Sequence, residues 1–195
     1  QIQAFNRVED PRRLPVGRVL RVPYRWLRHE PSSAQLASLR GSVNVVVGNT
    51  ERAPVVGMLI PRRSTVATRD RSFAALSMQD GSRLSILPNS RVHIAALDRV
   101  ILTGSLVRTI SVEQGRVQAI VTPMASPDAT FNVQTPLVMT AVRGTEFRAT
   151  YDSAGQIGRV EVLRGQVEVS GNGHEMLEAG EGVLINADGF APKEL

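Results

Sequence analysis

Residues Val160-Glu-Val-Leu-Arg-Gly165-Gln-Val-Glu-Val169 decide the fold class, because they read as two short β-strands that meet at a glycine. Apolar side chains occupy every second position on each side of Gly165, which is the period of a strand with one buried face. These positions are even-numbered before the glycine and odd-numbered after it, whereas an undisturbed strand keeps one parity. Gly165 is therefore predicted to mark a bulge or a corner where the strand bends from one sheet into another. A strand buried on both sides without a bend is the alternative.

The same change of parity recurs around Gly115 and Gly144. Around Gly41 the sequence is similar, but the parity does not change, so the rule is not general. Corners that exchange sheets are typical of orthogonal sandwiches and of solenoid-like coils. We therefore expect an elongated β-sandwich or a β-solenoid-like domain with glycine-marked strand bends.

The rest of the chain supports an all-β fold class for the larger part of the protein. Residues 43–47 and 117–121 alternate in the same way, and Gly, Pro, Asn and Asp separate such segments at intervals of about ten residues. No sustained 3.6-residue apolar period occurs between residues 34 and 187. Parallel strands joined by crossover helices are therefore excluded for this region.

Residues 73–88 specify a β-hairpin in more detail. A three-residue loop at 79–81, with Gly81 in the left-handed region, places Leu76 opposite Leu84 on one face. A two-residue loop would put these two leucines on opposite faces. The sequence therefore predicts the odd loop length.

The N-terminal region shows a different sequence pattern. Residues 1–23 read as the end of a short helix, a turn built on Asn6 and Asp10-Pro11, and a short strand over residues 17–23. The predicted organisation is an N-terminal unit over 1–23, a linker over 24–34, an all-β domain over 35–187, and a tail over 188–195 that leads to a missing region.

Composition and charge exclude several classes of function. The net charge is +5, but aromatic residues make up only 4% of the chain, too few for base-stacking platforms, so no nucleic-acid partner is expected. The absence of cysteine excludes disulfides, thiolate zinc sites and cysteine nucleophiles. The sequence shows no run of about 18 apolar residues and hence no membrane-spanning segment.

The residues expected of an enzyme or a metalloprotein are also missing. The three histidines, His29, His93 and His174, are far apart in sequence, and His174 is followed by Glu178 where a zinc-protease motif needs a second histidine. Phosphate-binding glycine loops and nucleophile elbows do not occur. We therefore predict no catalytic residues, no metal site and no cofactor. A carbohydrate-active enzyme, the remaining enzymatic alternative, requires a pocket with a perturbed carboxylate pair.

A series of motifs resembles the FecR-type domain of bacterial envelope proteins. The motifs, in chain order, are Gly41-Ser-Val-Asn-Val45, Asp80-Gly-Ser-Arg-Leu-Ser-Ile86, Thr135-Pro136, Val142-Arg-Gly-Thr-Glu-Phe147, Val162-Leu-Arg-Gly-Gln-Val-Glu-Val169 and Leu177-Glu-Ala-Gly-Glu-Gly182. The resemblance covers residues 35–187 and implies an all-β, extracytoplasmic domain. In iron-uptake signalling, such proteins relay the state of an outer-membrane receptor to a cytoplasmic sigma factor.

A second resemblance concerns residues 1–23, which are similar to the C-terminal half of a LysM module. The matching residues are Phe5-Asn6, Asp10-Pro11, Leu14, Val16-Gly17, Leu20 and Val22-Pro23. LysM modules are small α+β units that bind glycans containing N-acetylglucosamine, such as peptidoglycan. The resemblance implies that a glycan would contact Asn6, Arg7, Asp10 and Leu14, in the turn before the predicted strand.

Together the two resemblances predict a non-catalytic, periplasmic protein of the cell envelope. In the first interpretation it is a binding or assembly module associated with peptidoglycan, with envelope proteins as further partners. In the alternative it is the periplasmic part of a FecR-type transmembrane regulator that signals to a sigma factor in iron uptake.

Overall fold

The computed structural model describes residues 1–23, 26–124, 126 and 129–194, and these residues form a nearly all-β protein. One short helix, α1, and a 3₁₀ turn precede eighteen strands. The helix spans Ile2–Phe5 and the 3₁₀ turn Pro11–Arg13. The strands are β1 His29–Pro31, β2 Ser33–Arg40, β3 Val43–Val47, β4 Thr50–Arg52, β5 Leu59–Pro61, β6 Ser64–Thr68, β7 Phe73–Ser77, β8 Arg83–Ile86, β9 Arg91–Val100, β10 Leu106–Ile120, β11 Thr130–Gln134, β12 Met139–Val142, β13 Glu146–Asp152, β14 Ile157–Arg164, β15 Gln166–Ser170, β16 His174–Glu178, β17 Glu181–Asn186 and β18 Gly189–Glu194.

The strands form two sheets, which we call sheet A and sheet B, and β10 belongs to both. Sheet A has the order β4, β3, β6, β9, β10, β11, β12, β15, β16, and β1 pairs with the C-terminal end of β9. Sheet B has the order β5, β2, β7, β8, β10, β13, β14, β17, β18. Strand β10 runs parallel to β11, and the other described pairs are antiparallel. The chain therefore passes repeatedly from one sheet to the other, which confirms the predicted all-β class.

The predicted glycine corners are present at Gly115, Gly144 and Gly165. Strand β10 pairs with β9 in sheet A up to Gln114 and with β13 in sheet B from Gly115 onward. Gly144 lies between β12 of sheet A and β13 of sheet B, and Gly165 lies between β14 of sheet B and β15 of sheet A. Because all three glycines have φ between +78° and +86°, they occupy a region that side chains disfavour.

Gly41 also marks a corner, although the parity of the apolar positions does not change there. Gly41 has φ +75° and lies between β2 of sheet B and β3 of sheet A. A register shift between Leu36 and Ser38 in β2 changes the parity before the glycine is reached. Because of this bulge, the alternation of apolar residues gives no sign of the corner at Gly41.

Buried hydroxyl groups satisfy backbone groups at these corners. Ser90 Oγ accepts a hydrogen bond from Arg116 N at 2.9 Å, beside Gly115. Ser72 Oγ accepts from Ser42 N at 2.8 Å, beside Gly41, and Thr145 Oγ1 donates to Gln166 O at 2.8 Å, beside Gly165. A backbone group that leaves one sheet and has not yet joined the other would otherwise be buried without a partner.

The hairpin of β7 and β8 has the predicted register. Leu76 lies opposite Leu84, and Gly81 has φ +85°. Met78 N donates to Ser82 O at 2.9 Å, which leaves residues 79–81 as the loop. The three-residue loop is confirmed.

The inward faces of both sheets pack on one hydrophobic core. Phe131 of sheet A and Phe147 of sheet B are fully buried in it, with Ile94, Ile110 and Leu36. Burying aliphatic and aromatic side chains contributes about 1.5–3 kcal/mol each, so this core dominates the stability of the domain.

Three local expectations were wrong. Residues 17–23 form no strand. Within the predicted linker 24–34, β1 pairs with residues 98–100 of β9, and Ala34 of β2 is fully buried; Tyr24 and Arg25 lie outside the described residues. In the predicted tail 188–195, β18 extends sheet B by pairing with β17. Strands β1 and β18 each pair with a sheet edge whose backbone hydrogen-bonding groups would otherwise be open. The local sequence does not indicate where such an edge lies.

Candidate functional site

The four residues predicted to bind a glycan lie on the surface of the N-terminal segment. Arg7 and Asp10 are exposed, and Asn6 and Leu14 are partly buried. Asn6 and Asp10 are engaged within the segment. The Asn6 side-chain amide donates to Ile2 O at 2.9 Å and to Arg21 O at 2.7 Å, and its oxygen accepts from Arg21 N at 2.7 Å.

Asp10 has a comparable local role. Its carboxylate accepts a hydrogen bond from Arg12 N at 2.9 Å and caps the 3₁₀ turn, and it lies 3.5 Å from the Arg13 guanidinium. The contacts of Asn6 and Asp10 are those of turn and capping residues. A glycan-binding role for the four residues stays a prediction.

The histidines belong to no candidate metal-binding group within the part of the chain that the structure describes. Groups of three or more His, Cys, Asp or Glu side chains that could hold a metal ion do not occur among those residues. His174 Nε2 lies 2.9 Å from Glu168 Oε1, and both side chains are exposed on adjacent strands. His93 Nδ1 lies 3.1 Å from Thr65 Oγ1, also across a strand pair.

A buried charged cluster, which the sequence analysis missed, lies where the β7–β8 hairpin meets β10. The Arg108 side chain is only 1% exposed and pairs through Nη1 with the Asp80 carboxylate. Its Nε donates to Thr130 O at 3.1 Å, and its guanidinium carbon lies 5.1 Å from the centre of the Phe131 ring. A buried arginine needs all of these contacts, because an unpaired charge in the core is costly.

Ser82 completes this cluster. Its hydroxyl donates to the Asp80 carboxylate at 2.8 Å and accepts from Thr122 N at 3.1 Å. The cluster therefore joins the hairpin loop to the end of β10. Since Asp80 neutralises Arg108, the open cleft of about 360 Å³ beside the cluster has no uncompensated charge from this arginine.

The outer face of sheet A carries a shallow groove of about 530 Å³ across β11, β12, β15 and β16. Asn132, Ala141, Glu168 and Met176 form one cross-strand row along it, because each is the register partner of the next. The small side chain of Ala141 lies between longer ones and so deepens the row. We call this surface the sheet A groove.

Comparison with protein families identifies the class of protein. The FecR protein family matches residues 64–168, which is more than half of the chain, and the chain belongs to this family. The matched region contains the corners at Gly115, Gly144 and Gly165, the Arg108 cluster, and strands β11 and β12 of the groove. The match leaves out residues 1–23, so the LysM resemblance stays a prediction.

Two solved structures show a similar fold. Both are crystal structures of a proposed anti-sigma factor from Parabacteroides distasonis, at 1.65 and 2.50 Å resolution. They superimpose with TM-scores of 0.55 and 0.54 at 19% sequence identity and cover 67% of this chain. The matched part of the chain spans 59% of each of those chains. No curated protein matches.

Proposed function

We propose that this chain is the periplasmic, non-catalytic part of a FecR-type regulator that controls the activity of a sigma factor. Membership of the FecR family over residues 64–168 carries the proposal. The similar fold of a protein described as a proposed anti-sigma factor also supports a regulatory function. This is the alternative drawn from the sequence, and the findings favour it over the peptidoglycan interpretation.

A regulator of this kind acts through protein contacts rather than through bond chemistry. The described residues fit that role, because their charged cluster at Arg108 is buried and internally paired. No helix among them is long and apolar enough to cross a membrane. We take an outward-facing surface of the β domain as the place where such a regulator would contact its partner.

The sheet A groove is our candidate for that contact surface. Its floor is Ala141, and its sides present amide, carboxylate and thioether groups from Asn132, Glu168 and Met176. Such a mixture of small, polar and polarisable side chains on a rigid sheet suits recognition of a protein segment. We infer that the signalling partner contacts this groove.

The peptidoglycan interpretation has less support. The strand predicted over residues 17–23 is absent, and the Asn6 side chain is hydrogen-bonded to the backbone of Arg21. Salt-resistant co-sedimentation of the chain with peptidoglycan sacculi, reversed by chitin fragments, would restore this interpretation.

The test is a chromosomal Ala141→Arg substitution, followed by transcript measurement. Genes that respond to deletion of the whole gene, and that depend on one sigma factor, define the regulated set. We expect Ala141→Arg to change their expression in the direction of the deletion, because the long cation fills the groove. The matched control is Ala75→Arg, which places the same side chain on a partly exposed position of β7 in sheet B.

Both purified variants must melt within about 3 °C of the wild type, so that unfolding is not the cause. An effect of Ala141→Arg alone supports the groove as the contact surface. Equal expression in all three strains contradicts the groove, and a deletion that alters no sigma-factor-dependent genes contradicts the proposed function itself.

A further inference from the structure

The N-terminal segment exposes apolar side chains that lie between arginines. Val16 and Val19 are 106% and 84% exposed, and Leu20 is also exposed. Arg18 and Arg21 are their sequence neighbours. Isolated exposed aliphatic residues are common on proteins, but three within five residues, with cations between them, form a distinct surface.

The positive charge of the chain is concentrated in residues 1–31, which include the N-terminal segment. Residues 1–31 contain seven arginines against three acidic residues, a net charge of +4, whereas the whole chain carries +5. The remaining 164 residues are thus close to neutral, at +1. This asymmetry indicates that an anionic partner would meet the N-terminal region first.

A second apolar element lies at the C-terminal end of the arginine-rich residues 1–31. The turn between β9 and β10 exposes Ile101 and Leu102, the latter by 73%. Ile101 N donates to Arg28 O at 2.9 Å, and β1 pairs with β9 immediately before the turn. The hairpin tip is therefore attached to the end of the arginine-rich region.

We propose that residues 2–21 and the tip at residues 101–104 form a docking surface for an anionic lipid bilayer. Arginines attract the acidic headgroups, while the interleaved valine and leucine side chains enter the headgroup region. A hydrophilic polyanion offers a partner for the arginines alone and leaves the aliphatic side chains in water. The exposed aliphatic residues therefore favour a lipid surface. This proposal goes beyond the regulatory function and does not depend on it.

Trp26 provides a local probe of the interaction. It is the single tryptophan of the chain, and its ring lies 5.6 Å from the Phe5 ring in an edge-on arrangement. Because it directly follows the N-terminal segment, its fluorescence reports on that region without a label. Docking should shift its emission to shorter wavelength and reduce quenching by acrylamide.

The experiment is flotation of the whole chain with two kinds of vesicle, combined with Trp26 fluorescence. Anionic vesicles contain phosphatidylglycerol and phosphatidylethanolamine, and neutral vesicles contain phosphatidylcholine. We expect binding to the anionic vesicles at ~0.05 M salt and weaker binding at ~0.3 M, since salt screens the headgroup attraction. Neutral vesicles should leave the chain unbound.

Three double variants and two control variants separate the apolar and the charged contributions. Val16→Ser/Val19→Ser should lower vesicle affinity about tenfold, and Ile101→Ser/Leu102→Ser should lower it by a similar factor. The control is Val55→Ser/Val56→Ser, which removes two exposed valines, 62% and 59% exposed, from the β4–β5 connection.

For the charged contribution, Arg12→Gln/Arg21→Gln should lower affinity by roughly twentyfold at low salt. The control is Arg40→Gln/Arg52→Gln, which removes two exposed arginines of the β domain. Each control should bind within about twofold of the wild type.

The results decide the proposal in both directions. Selective loss in both apolar variants and in the N-terminal arginine variant, with the shift in Trp26 emission, supports it. Absence of binding to anionic vesicles overturns it. Binding that the apolar variants leave unchanged, and that dextran sulfate removes equally from all proteins, overturns the lipid surface in favour of a polyanion.

Discussion

Valine and leucine side chains that lie among polar residues are buried in the β domain but exposed in the N-terminal segment. In the β domain, Val167 and Val169 alternate with polar residues and are fully buried between paired strands. In the segment, Val16, Val19 and Leu20 also lie among polar residues, yet they are exposed and no strand forms. The difference teaches that apolar residues set among polar ones form a strand only where a neighbouring strand accepts their hydrogen bonds.

Asn6 shows what replaces that neighbour in the segment. Its side-chain amide donates to Arg21 O and accepts from Arg21 N, each at 2.7 Å. This pair of hydrogen bonds imitates one rung of a β-ladder. These two hydrogen bonds hold the backbone of Arg21 in place, but the pairing does not extend into a sheet.

The largest expected effect comes from a corner of the β domain. A Cβ at Gly115 would lie 2.6 Å from both Asn89 O and Ser90 Cα, and its φ is +86°. Gly115→Ala should therefore lower the free energy of unfolding by about 3–4 kcal/mol, measured by urea denaturation. Gly180→Ala is the control, because it has φ +89° and no atom within 4 Å of the added Cβ.

Gly180→Ala should cost only about 1 kcal/mol, the conformational cost without the clash. Gly144→Val should behave like Gly115→Ala, since its Cβ would lie 2.8 Å from Pro123 Cα. Unchanged melting of the Gly115 and Gly144 variants would show that these glycines are not close-packed corners.

The next effect concerns the Arg108 cluster. Asp80→Ala removes the carboxylate that pairs with a buried guanidinium, so we expect a loss of about 3 kcal/mol in unfolding free energy. The double variant Asp80→Ala/Arg108→Met should recover at least half of this loss, because no unpaired charge remains. If the double variant is less stable than Asp80→Ala, the arginine stabilises the protein through contacts other than the ion pair.

A smaller and local effect is expected at Asn6. Asn6→Ala removes hydrogen bonds that hold only the N-terminal segment, so the free energy of unfolding of the β domain, measured by urea denaturation, should stay within about 0.5 kcal/mol of the wild type. Proteolytic cleavage within residues 1–23 should become about fivefold faster, which corresponds to a local loss of about 1 kcal/mol. A large drop in global stability would show that the segment and the β domain unfold together.

The smallest effect is expected at His174. Its contact with Glu168 joins two exposed side chains, so His174→Ala should change the unfolding free energy by less than about 0.5 kcal/mol. Added zinc should leave the melting temperature of both proteins unchanged. Stabilisation by zinc in the wild type alone would reveal a metal site that the described residues do not show.

Periodicity predicted the parts of the fold that depend on local pattern. The sequence placed the corners at Gly115, Gly144 and Gly165, and it selected the three-residue loop that sets Leu76 against Leu84. These features are encoded by parity and turn residues within about ten positions. The corner at Gly41 could not be predicted from parity, because a bulge in β2 changes the parity before Gly41 is reached.

Features that depend on distant partners could not be predicted in the same way. Nothing near Arg108 in the sequence indicates that the β7–β8 loop will place Asp80 beside it, 28 residues away. The edge strands β1 and β18 likewise depend on where β9 and β17 leave open hydrogen-bonding groups. The sheet A groove combines strands from residue 130 to residue 178, and its row of side chains follows from register alone.

The most direct test of the central claim compares transcripts of the regulated genes in strains with Ala141→Arg or Asn6→Ala. Our account places the regulatory contact in the β domain, on the sheet A groove. It predicts that Ala141→Arg alters expression of the sigma-factor-dependent genes and that Asn6→Ala leaves it at the wild-type level. A normal response with Ala141→Arg and a lost response with Asn6→Ala would contradict the account and assign regulation to the N-terminal segment.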